Sequence, residues 1–243
     1  MVDRRRRIAA AGVIFAAFLY GWAGPLIRWA GGDTPMLAVA FYRMLVASLA
    51  WTPFWLGSLA REQDRARIPA GAGRYILIAG GFLGFHFATW TSSIGFTTVA
   101  SATFLILAQP ILVALAAHLL LKERLNRWNY ISMTLTLLGA FLIFGGDLQL
   151  GPSYLLGDGL ALLGAVGTAG YLLVARMVLP DRTVKGRGIP IQLYLPPVYW
   201  TATLVLLAVC MVKGVPLAGY ATNSWIALVL LGLGPTVIGH SLF

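Results

Sequence analysis

Residues 97–121 read TTVASATFLILAQPILVALAAHLLL, and this stretch contains no Asp, Glu, Lys or Arg. A helix needs about 20 apolar residues to cross a hydrocarbon core of roughly 30 Å, so the stretch is long enough to span a membrane. Seven more segments share its apolar character: 8–30, 35–57, 75–95, 128–146, 157–179, 190–212 and 224–243. The sequence therefore predicts an all-α fold, a polytopic membrane helix bundle with eight spans.

The composition of the 243-residue chain argues against a soluble globular enzyme. Hydrophobic residues make up 59% of it and charged residues 11%, whereas a soluble domain carries roughly 25% charged residues. A soluble domain of this size leaves much of its surface in water, so it cannot bury so many apolar side chains. The single cysteine, Cys210, excludes an internal disulfide and a multi-cysteine metal site.

The basic residues are concentrated on one side of the predicted bundle. Fifteen of the 18 Lys and Arg residues fall in the amino terminus and in connections on that side, while Lys213 lies on the other. Positive charge marks the cytoplasmic side, so we predict a multi-pass protein of the cell (inner) membrane with a cytoplasmic amino terminus. This clustering also argues against nucleic acid as a partner, despite a net charge of +10. The fifteen are Arg4, Arg5, Arg6, Arg7, Arg61, Arg65, Arg67, Arg74, Lys122, Arg124, Arg127, Arg176, Arg182, Lys185 and Arg187.

A short sequence similarity divides the chain into two repeats. Residues 21–26 read GWAGPL, and 146 residues later residues 167–172 read GTAGYL, with four identical positions. The five spans before residue 150 form one unit, and because five is odd, a second copy must enter the membrane from the opposite side. We therefore predict two inverted-topology repeats, residues 1–150 and 151–243, an arrangement on which many transporters are built.

Spans four and five contain the most specific sequence motifs. It comprises Gln109-Pro110 followed by ILVAL, then residues 119–125, which read LLLKERL, and later Leu138-Gly139-Ala140. This text resembles the EamA-type ten-helix group of the drug/metabolite transporter superfamily, and Gly234-Pro235-Thr236 near the end also resembles that group. The resemblance implies two five-helix repeats, so we expect the second repeat to be truncated after its third helix.

The resemblance also implies a function. Members of this group transport small metabolites, and we expect this chain to move a small polar or anionic organic metabolite, for example an amino acid or a related compound, by alternating access. We expect export rather than import. Two alternatives remain open: a membrane-embedded lipid-modifying enzyme, and a truncated membrane subunit that does not transport.

Arg43 is the foremost candidate for substrate binding. It lies eight residues into its span, so the helical rise of 1.5 Å per residue places it roughly 12 Å below the outer boundary. A cation at this depth is costly and normally faces the interior of the bundle. Arg43 would bind a carboxylate or a phosphate through its planar guanidinium, or else bond structurally to a neighbouring helix.

Two more candidates share the depth of Arg43. The same rise places Trp22 roughly 12 Å and His86 roughly 13.5 Å below the outer boundary. His86 and Trp90 are four residues apart and share one helix face, which we expect to point to a cavity or to lipid. Gly80 and Gly84 lie on another face of this span, where we expect a second helix to approach closely.

Gln109 precedes a proline near the centre of span four. Pro110 has no backbone N–H and disfavours helical geometry at Gln109, so we predict a kink that frees a carbonyl near Ile106. Gln109 is the fifth predicted substrate-binding residue. Kinked helices recur around transporter sites, and we assign kink or gating roles to Pro25, Pro110, Pro196 and Pro197.

The carboxylates are predicted to lie near the membrane boundaries. We expect Glu123 and Arg124 to anchor the inner interface, and Asp147 and Asp158 to flank an outer loop. The sequence offers no zinc-binding spacing, nucleotide-hydrolysis motif or protease motif, so we predict a protein that is not an enzyme, without a metal or cofactor. The expected partners are a small-molecule metabolite and membrane lipid, and a homodimer is left open.

Overall fold

A computed structural model of the chain describes residues 12, 14–61, 63, 68, 71–122, 125–147, 150–179 and 188–240. The elements of this part of the chain are helices, as predicted. They are α1 (14–21), α2 (Ala23–Ala30), α3 (Met36–Leu59), α4 (Ala72–Ser93), α5 (Val99–Ile106), α6 (Gln109–Leu121), α7 (Arg127–Asp147), α8 (Pro152–Val178), α9 (Ile191–Val212), α10 (Thr222–Leu231) and a π-helix (Gly232–His240).

Within the part of the chain that the structure describes, six helical segments are long and apolar enough to cross a membrane, so the chain is an integral multi-pass membrane protein. α4 has 22 residues and is long enough to cross a membrane, but its mean hydropathy is lower than that of these six segments. The cause is its content of glycine, threonine and serine, together with His86. Residues 8–11 and 13 of the first predicted span lie outside the described residues. The six segments are Met36–Leu59, Val99–Leu119, Arg127–Asp147, Pro152–Val178, Ile191–Val212 and Thr222–Gly239.

α4 lies at the centre of the bundle, with α8 and α9 packed against it. A Cβ atom at Gly84 would lie 3.0 Å from the side chain of Val205, and one at Gly80 would overlap Thr201, both on α9. The predicted close approach of a helix to these glycines is therefore confirmed. On α8, a Cβ at Gly167 would lie only 2.9 Å from the backbone nitrogen of His86. Direct backbone contact thus holds the two helices together.

The fourth span is interrupted between α5 and α6. Leu107 and Ala108 form a turn there, and their N–H groups bond three residues back, to Phe104 and Leu105. Pro110 stands at the start of α6 and has no N–H to donate to the Ile106 carbonyl. The loss of this donor explains why the helix is interrupted at this point.

α7 and the π-helix differ from the rest of the bundle. Few of the described residues of α7 are buried, and its closest contact is made where Gly139 meets the ring of Phe104. The π-helix has a wider turn than an α-helix, so the Thr236 hydroxyl donates to the Leu231 carbonyl five residues earlier. Segments of this kind are rare and are often found at functional sites.

Candidate functional site

Arg43 is fully buried in the middle of the described bundle, with 0% of its surface exposed. Its Nε donates to the Thr236 hydroxyl on the π-helix at 2.7 Å. Its other two guanidinium nitrogens, Nη1 and Nη2, are buried and have no hydrogen-bond partner among the described residues. A buried guanidinium thus keeps most of its donors unused, although unused buried donors are costly.

Two aromatic rings of α4 lie against the guanidinium of Arg43. The Arg43 Cζ is 4.3 Å from the centroid of the Phe87 ring and 5.3 Å from that of Trp90. Rings at such distances attract a cation through their negative faces. The indole Nε1 of Trp90 is also buried without a partner among the described residues. Arg43 and Trp90 therefore present unused N–H donors, and no described carboxylate balances the charge of Arg43.

His86 extends this group towards α8. Its ring stacks on Trp90 with centroids 5.9 Å apart and planes 6° from parallel. Its Nδ1 lies 2.6 Å from the Thr168 hydroxyl and 3.0 Å from the Gly164 carbonyl. A carbonyl oxygen only accepts, so this network assigns a hydrogen to Nδ1. His86 is 1% exposed, so the lipid-facing alternative for this helix face is wrong.

We call these six residues the Arg43 cluster: Arg43, His86, Phe87, Trp90, Thr168 and Thr236. Tyr20 and Tyr199 lie near enough to Arg43 to feel its charge, so α1 and α9 also approach the cluster. Helices from both ends of the sequence therefore meet around one buried cation.

Two predicted binding residues lie apart from the Arg43 cluster. Trp22 stands at the interruption between α1 and α2, where its ring is 51% exposed and contacts Phe18 edge-on. Gln109 lines a separate cavity of about 400 Å³, together with Pro110, Asn129 and Arg176. The structure thus brings Arg43, His86 and Trp90 together and leaves Trp22 and Gln109 elsewhere.

The predicted kink and anchor residues have different surroundings. Pro25 lies in α2, three residues after the interruption at Trp22. Pro196 and Pro197 lie within α9, which continues unbroken from Ile191 to Val212. Glu123 and Arg124 lie outside the described residues. Among the residues that are described, no group of three or more His, Cys, Asp or Glu side chains could hold a metal ion.

Sequence reasoning missed Phe87, Thr168 and Thr236 as neighbours of Arg43. Phe87 follows His86 directly, but on a helix the next residue points about 100° away, so the face that His86 shares with Trp90 does not include it. Thr236 lies in the Gly234-Pro235-Thr236 motif, which the sequence marked without giving it a role. That motif and the GTAGYL repeat, which contains Thr168, were the available signals.

A second polar group, buried except for its arginine, joins three helices and the segment before α5 near the start of α8. The Thr97 hydroxyl lies 3.0 Å from Asp158 Oδ1 and 3.3 Å from Asp147 Oδ2. Arg28 on α2 donates through Nη2 to the Thr97 carbonyl at 3.0 Å. We call these four residues the Asp158 cluster. Asp158 is 0% exposed, and its predicted position beside an outer loop stays a prediction.

An exposed carboxylate provides a third polar contact between distant segments. Asp33, in the connection between α2 and α3, accepts a hydrogen bond from the Ser224 hydroxyl and one of 2.6 Å from the backbone N–H of Ala221. The Ser224 bond, and then the Ala221 bond, lower the pKa of Asp33 below its usual value. Asp33 is therefore ionised at neutral pH and is held at the start of α10.

Comparison with known proteins places the chain among membrane proteins. A family model described as the EamA-like transporter family matches residues 7–145. A solved crystal structure is similar over 98% of this chain and 78% of its own, with a TM-score of 0.63 and 21% sequence identity. This likeness shows a shared fold. The search of curated proteins gave no match.

Proposed function

The chain belongs to the EamA-like transporter family, and from this membership we propose that it moves a small polar or anionic organic metabolite across a membrane by alternating access. An amino acid or a related compound is an example of such a substrate, and we propose export as the direction. The Arg43 cluster is the proposed binding site, with Arg43, His86 and Trp90 contributing from the first half of the chain. Trp22 and Gln109 stay predictions, because they lie apart from it.

The observation that carries this proposal is the unused hydrogen-bonding capacity of Arg43. A carboxylate accepts two parallel N–H bonds from one guanidinium, and such bonds are roughly twice as strong as neutral ones. Arg43 keeps Nη1 and Nη2 without a partner among the described residues. An anionic group on the substrate would supply both acceptors and balance the buried charge.

The burial of Arg43 also supports alternating access. The guanidinium is fully buried between α3, α4 and the π-helix, so a substrate could reach it only when these elements move apart. Rocking of one half of the chain against the other would open the site to one side at a time. We propose the cell (inner) membrane and a cytoplasmic amino terminus, on the basis of the positive charges in the sequence.

A ligand screen followed by transport measurements tests the proposal. Purified protein is heated with individual members of a library of small metabolites, because a ligand that binds the folded state raises its melting temperature. The compounds that stabilise the protein are then tested for uptake into vesicles that contain it. We expect carboxylates or phosphates among them, and uptake that is lost in Arg43→Gln.

The matched control is Arg74→Gln, because Arg74 is an exposed arginine near the start of α4 that contacts its neighbour Tyr75. This variant should transport at the rate of the unmodified protein. Uptake retained in folded Arg43→Gln would contradict the assignment of the site. Chemical turnover of lipid by the purified protein, with no second compartment present, would instead favour the lipid-modifying enzyme.

A further inference from the structure

We propose that Asp147 and Asp158 form a proton-binding site, in which the two carboxyl groups and the Thr97 hydroxyl hold one proton between them. The site lies where the end of α7 and the first part of α8 meet the segment before α5. It does not depend on the proposed substrate or on transport, and it shares no residue with the Arg43 cluster.

The hydrogen count at Thr97 is the first argument. A threonine hydroxyl has one hydrogen to donate and can otherwise only accept. Its oxygen contacts one oxygen of Asp158 at 3.0 Å and one of Asp147 at 3.3 Å. Two ionised carboxylates only accept, so they cannot both bond to this hydroxyl. A proton on one carboxyl group supplies the missing donor, and both contacts become hydrogen bonds.

The charge balance of the cluster is the second argument. Asp158 is 0% and Asp147 6% exposed, and both carboxyl groups lie within 3.3 Å of the same Thr97 hydroxyl. α2 contributes the positive charge of Arg28, an exposed residue at the edge of the cluster that is bonded to the Thr97 carbonyl. Two carboxylates and one guanidinium leave one negative charge in excess. Because buried charge is costly unless it is neutralised, one bound proton makes the cluster neutral.

An unused atom shows that Asp158 is poorly suited to carry a negative charge. Asp158 Oδ2 is buried and has no hydrogen-bond partner among the described residues, although Oδ1 of the same group is bonded to Thr97. Two carboxylates that share a buried site do not readily ionise together. A metal cation is a poorer fit, because hard cations take six or more oxygen ligands.

The packing around Thr97 connects this proton to the position of α8. A Cβ atom at Gly157 would lie 2.7 Å from the backbone nitrogen of Thr97, so α8 touches the backbone of the segment before α5. Loss of the proton would place two negative charges at this contact. The proton therefore stabilises the docking of α8 at this end of the bundle.

Infrared spectroscopy of the purified full chain tests the proposal, because a protonated carboxyl group has a C=O stretching band that ionised carboxylates lack. At pH 7 we expect a band equivalent to one carboxylic acid per chain, which shifts when aspartate is labelled with carbon-13 at Cγ. The band should be lost in Asp158→Asn and in Asp147→Asn. It should be unchanged in Asp33→Asn, since Asp33 is ionised.

Three results would overturn the proposal. The first is a spectrum at pH 7 without a band that is sensitive to the aspartate label. The second is a labelled band that persists in both folded variants of the pair. The third is a melting temperature that rises with sodium in the unmodified chain but not in Asp158→Asn, together with an absent band, which would indicate a metal site. If the variants fail to fold, the presence or absence of the label-sensitive band in the unmodified chain tests the proposal.

Discussion

The Arg43 and Asp158 clusters are opposite in charge and alike in being incomplete. Among the described residues, Arg43 presents two buried guanidinium nitrogens without acceptors, whereas Asp158 presents a buried carboxylate oxygen without a donor. Each is partly satisfied by a threonine hydroxyl from a distant part of the sequence, Thr236 for Arg43 and Thr97 for Asp158.

The difference between the clusters lies in what can complete them. Arg43 has aromatic neighbours and no described carboxylate, so the missing group must be an anion from outside the chain. Asp158 has a second carboxylate and Arg28 beside it, so a single proton is enough. The sign of the unbalanced charge, and not burial alone, therefore determines which kind of ligand a buried polar group selects.

Replacing Arg43 should have the largest effect, and on ligand binding rather than on stability. Loss of one partner of a buried, hydrogen-bonded charge pair costs about 2–5 kcal/mol, and 1.4 kcal/mol is about tenfold in affinity. Arg43→Met should therefore weaken binding of an anionic ligand by about 30-fold or more. Without ligand, Arg43→Met should be at least as stable as the unmodified protein, since an apolar side chain replaces a buried, incompletely bonded cation.

Ligand titration and thermal unfolding of Arg43→Met measure both effects. Asp158→Asn serves as the comparison, because it changes the other cluster and should leave ligand affinity unchanged. A marked loss of stability in empty Arg43→Met, with affinity retained, would show that Arg43 is structural. The contrast between the two clusters would then fail.

Gly167→Ala should disturb packing beside the Arg43 cluster and leave the Asp158 cluster unchanged. The new Cβ would lie 2.9 Å from the backbone nitrogen of His86, and overpacking of this kind costs about 1–3 kcal/mol. Nine residues separate Gly167 from Asp158, a rise of about 13.5 Å, so the carboxylic acid band should persist. Thermal unfolding and infrared spectra of one preparation measure both outcomes.

Gly159→Ala is the matched control on the same helix. A Cβ at Gly159 meets nothing within 4 Å in the described structure. We expect no loss of stability, and a gain of about 0.4–1 kcal/mol through the lower entropy of the unfolded chain. Equal destabilisation by both substitutions would mean that close contact with α4 is not the cause.

Thr168→Val should show whether His86 takes part in ligand binding. Valine keeps the shape of the side chain but removes the hydroxyl 2.6 Å from His86 Nδ1, which still has the Gly164 carbonyl. We expect a loss of about 1 kcal/mol in the free energy of unfolding, the usual value of one hydrogen bond. If Thr168→Val binds the ligand as tightly as the unmodified protein, His86 contributes to packing and not to ligand binding.

The control for this substitution is Thr201→Val on α9. The Thr201 hydroxyl bonds to the Pro197 carbonyl of its own helix. A valine there should not alter ligand affinity, which distinguishes an effect on His86 from a general effect of removing a buried hydroxyl. Thermal melting and ligand titration of both variants make the comparison.

The smallest effect is expected at Asp33, the exposed carboxylate. Its lowered pKa means that hydrogen bonds from Ser224 and Ala221 favour the ionised form in the folded protein. Its contribution to stability is therefore present above the usual pKa of about 3.9 and is lost as the pH falls through the lowered value. Asp33→Asn should be slightly less stable at pH 7, and the difference should vanish in acid.

Melting temperatures between pH 3 and pH 7 measure this effect. Ser224→Ala should reproduce part of it, since the Ser224 hydroxyl is the main cause of the lowered pKa. A difference between Asp33→Asn and the unmodified chain that grows in acid would contradict the prediction. It would also remove the contrast between an ionised exposed carboxylate and a protonated buried pair.

Features that depend on neighbouring residues could be predicted from the sequence. The helices follow from long apolar runs, the break before Gln109 follows from the missing N–H of Pro110, and the close approach of α9 follows from the spacing of Gly80 and Gly84. These features depend on local chemistry. The division into two inverted repeats stays a prediction.

Contacts between distant segments could not be predicted. The bond from Arg43 to Thr236 joins residues 193 positions apart, and no local pattern specifies such a pair. Asp158 was placed at a boundary because its span was predicted to begin at residue 157. The helix begins at Pro152, which moves Asp158 more than a turn further into it. The burial of Asp158 results from its contact with Thr97, 61 positions away in the sequence, which no local pattern specifies.

The exposure of α7 has a consequence for how its sequence can change. Outward-facing residues such as Leu135, Leu142 and Phe141 expose more than half of their surface, so protein neighbours place little constraint on their shape. Any apolar side chain of similar hydropathy should be accepted there. Gly139, which meets Phe104, and Asp147, which meets Thr97, are different. Over generations we expect the exposed positions of α7 to accept apolar substitutions, whereas Gly139 and Asp147 should be retained.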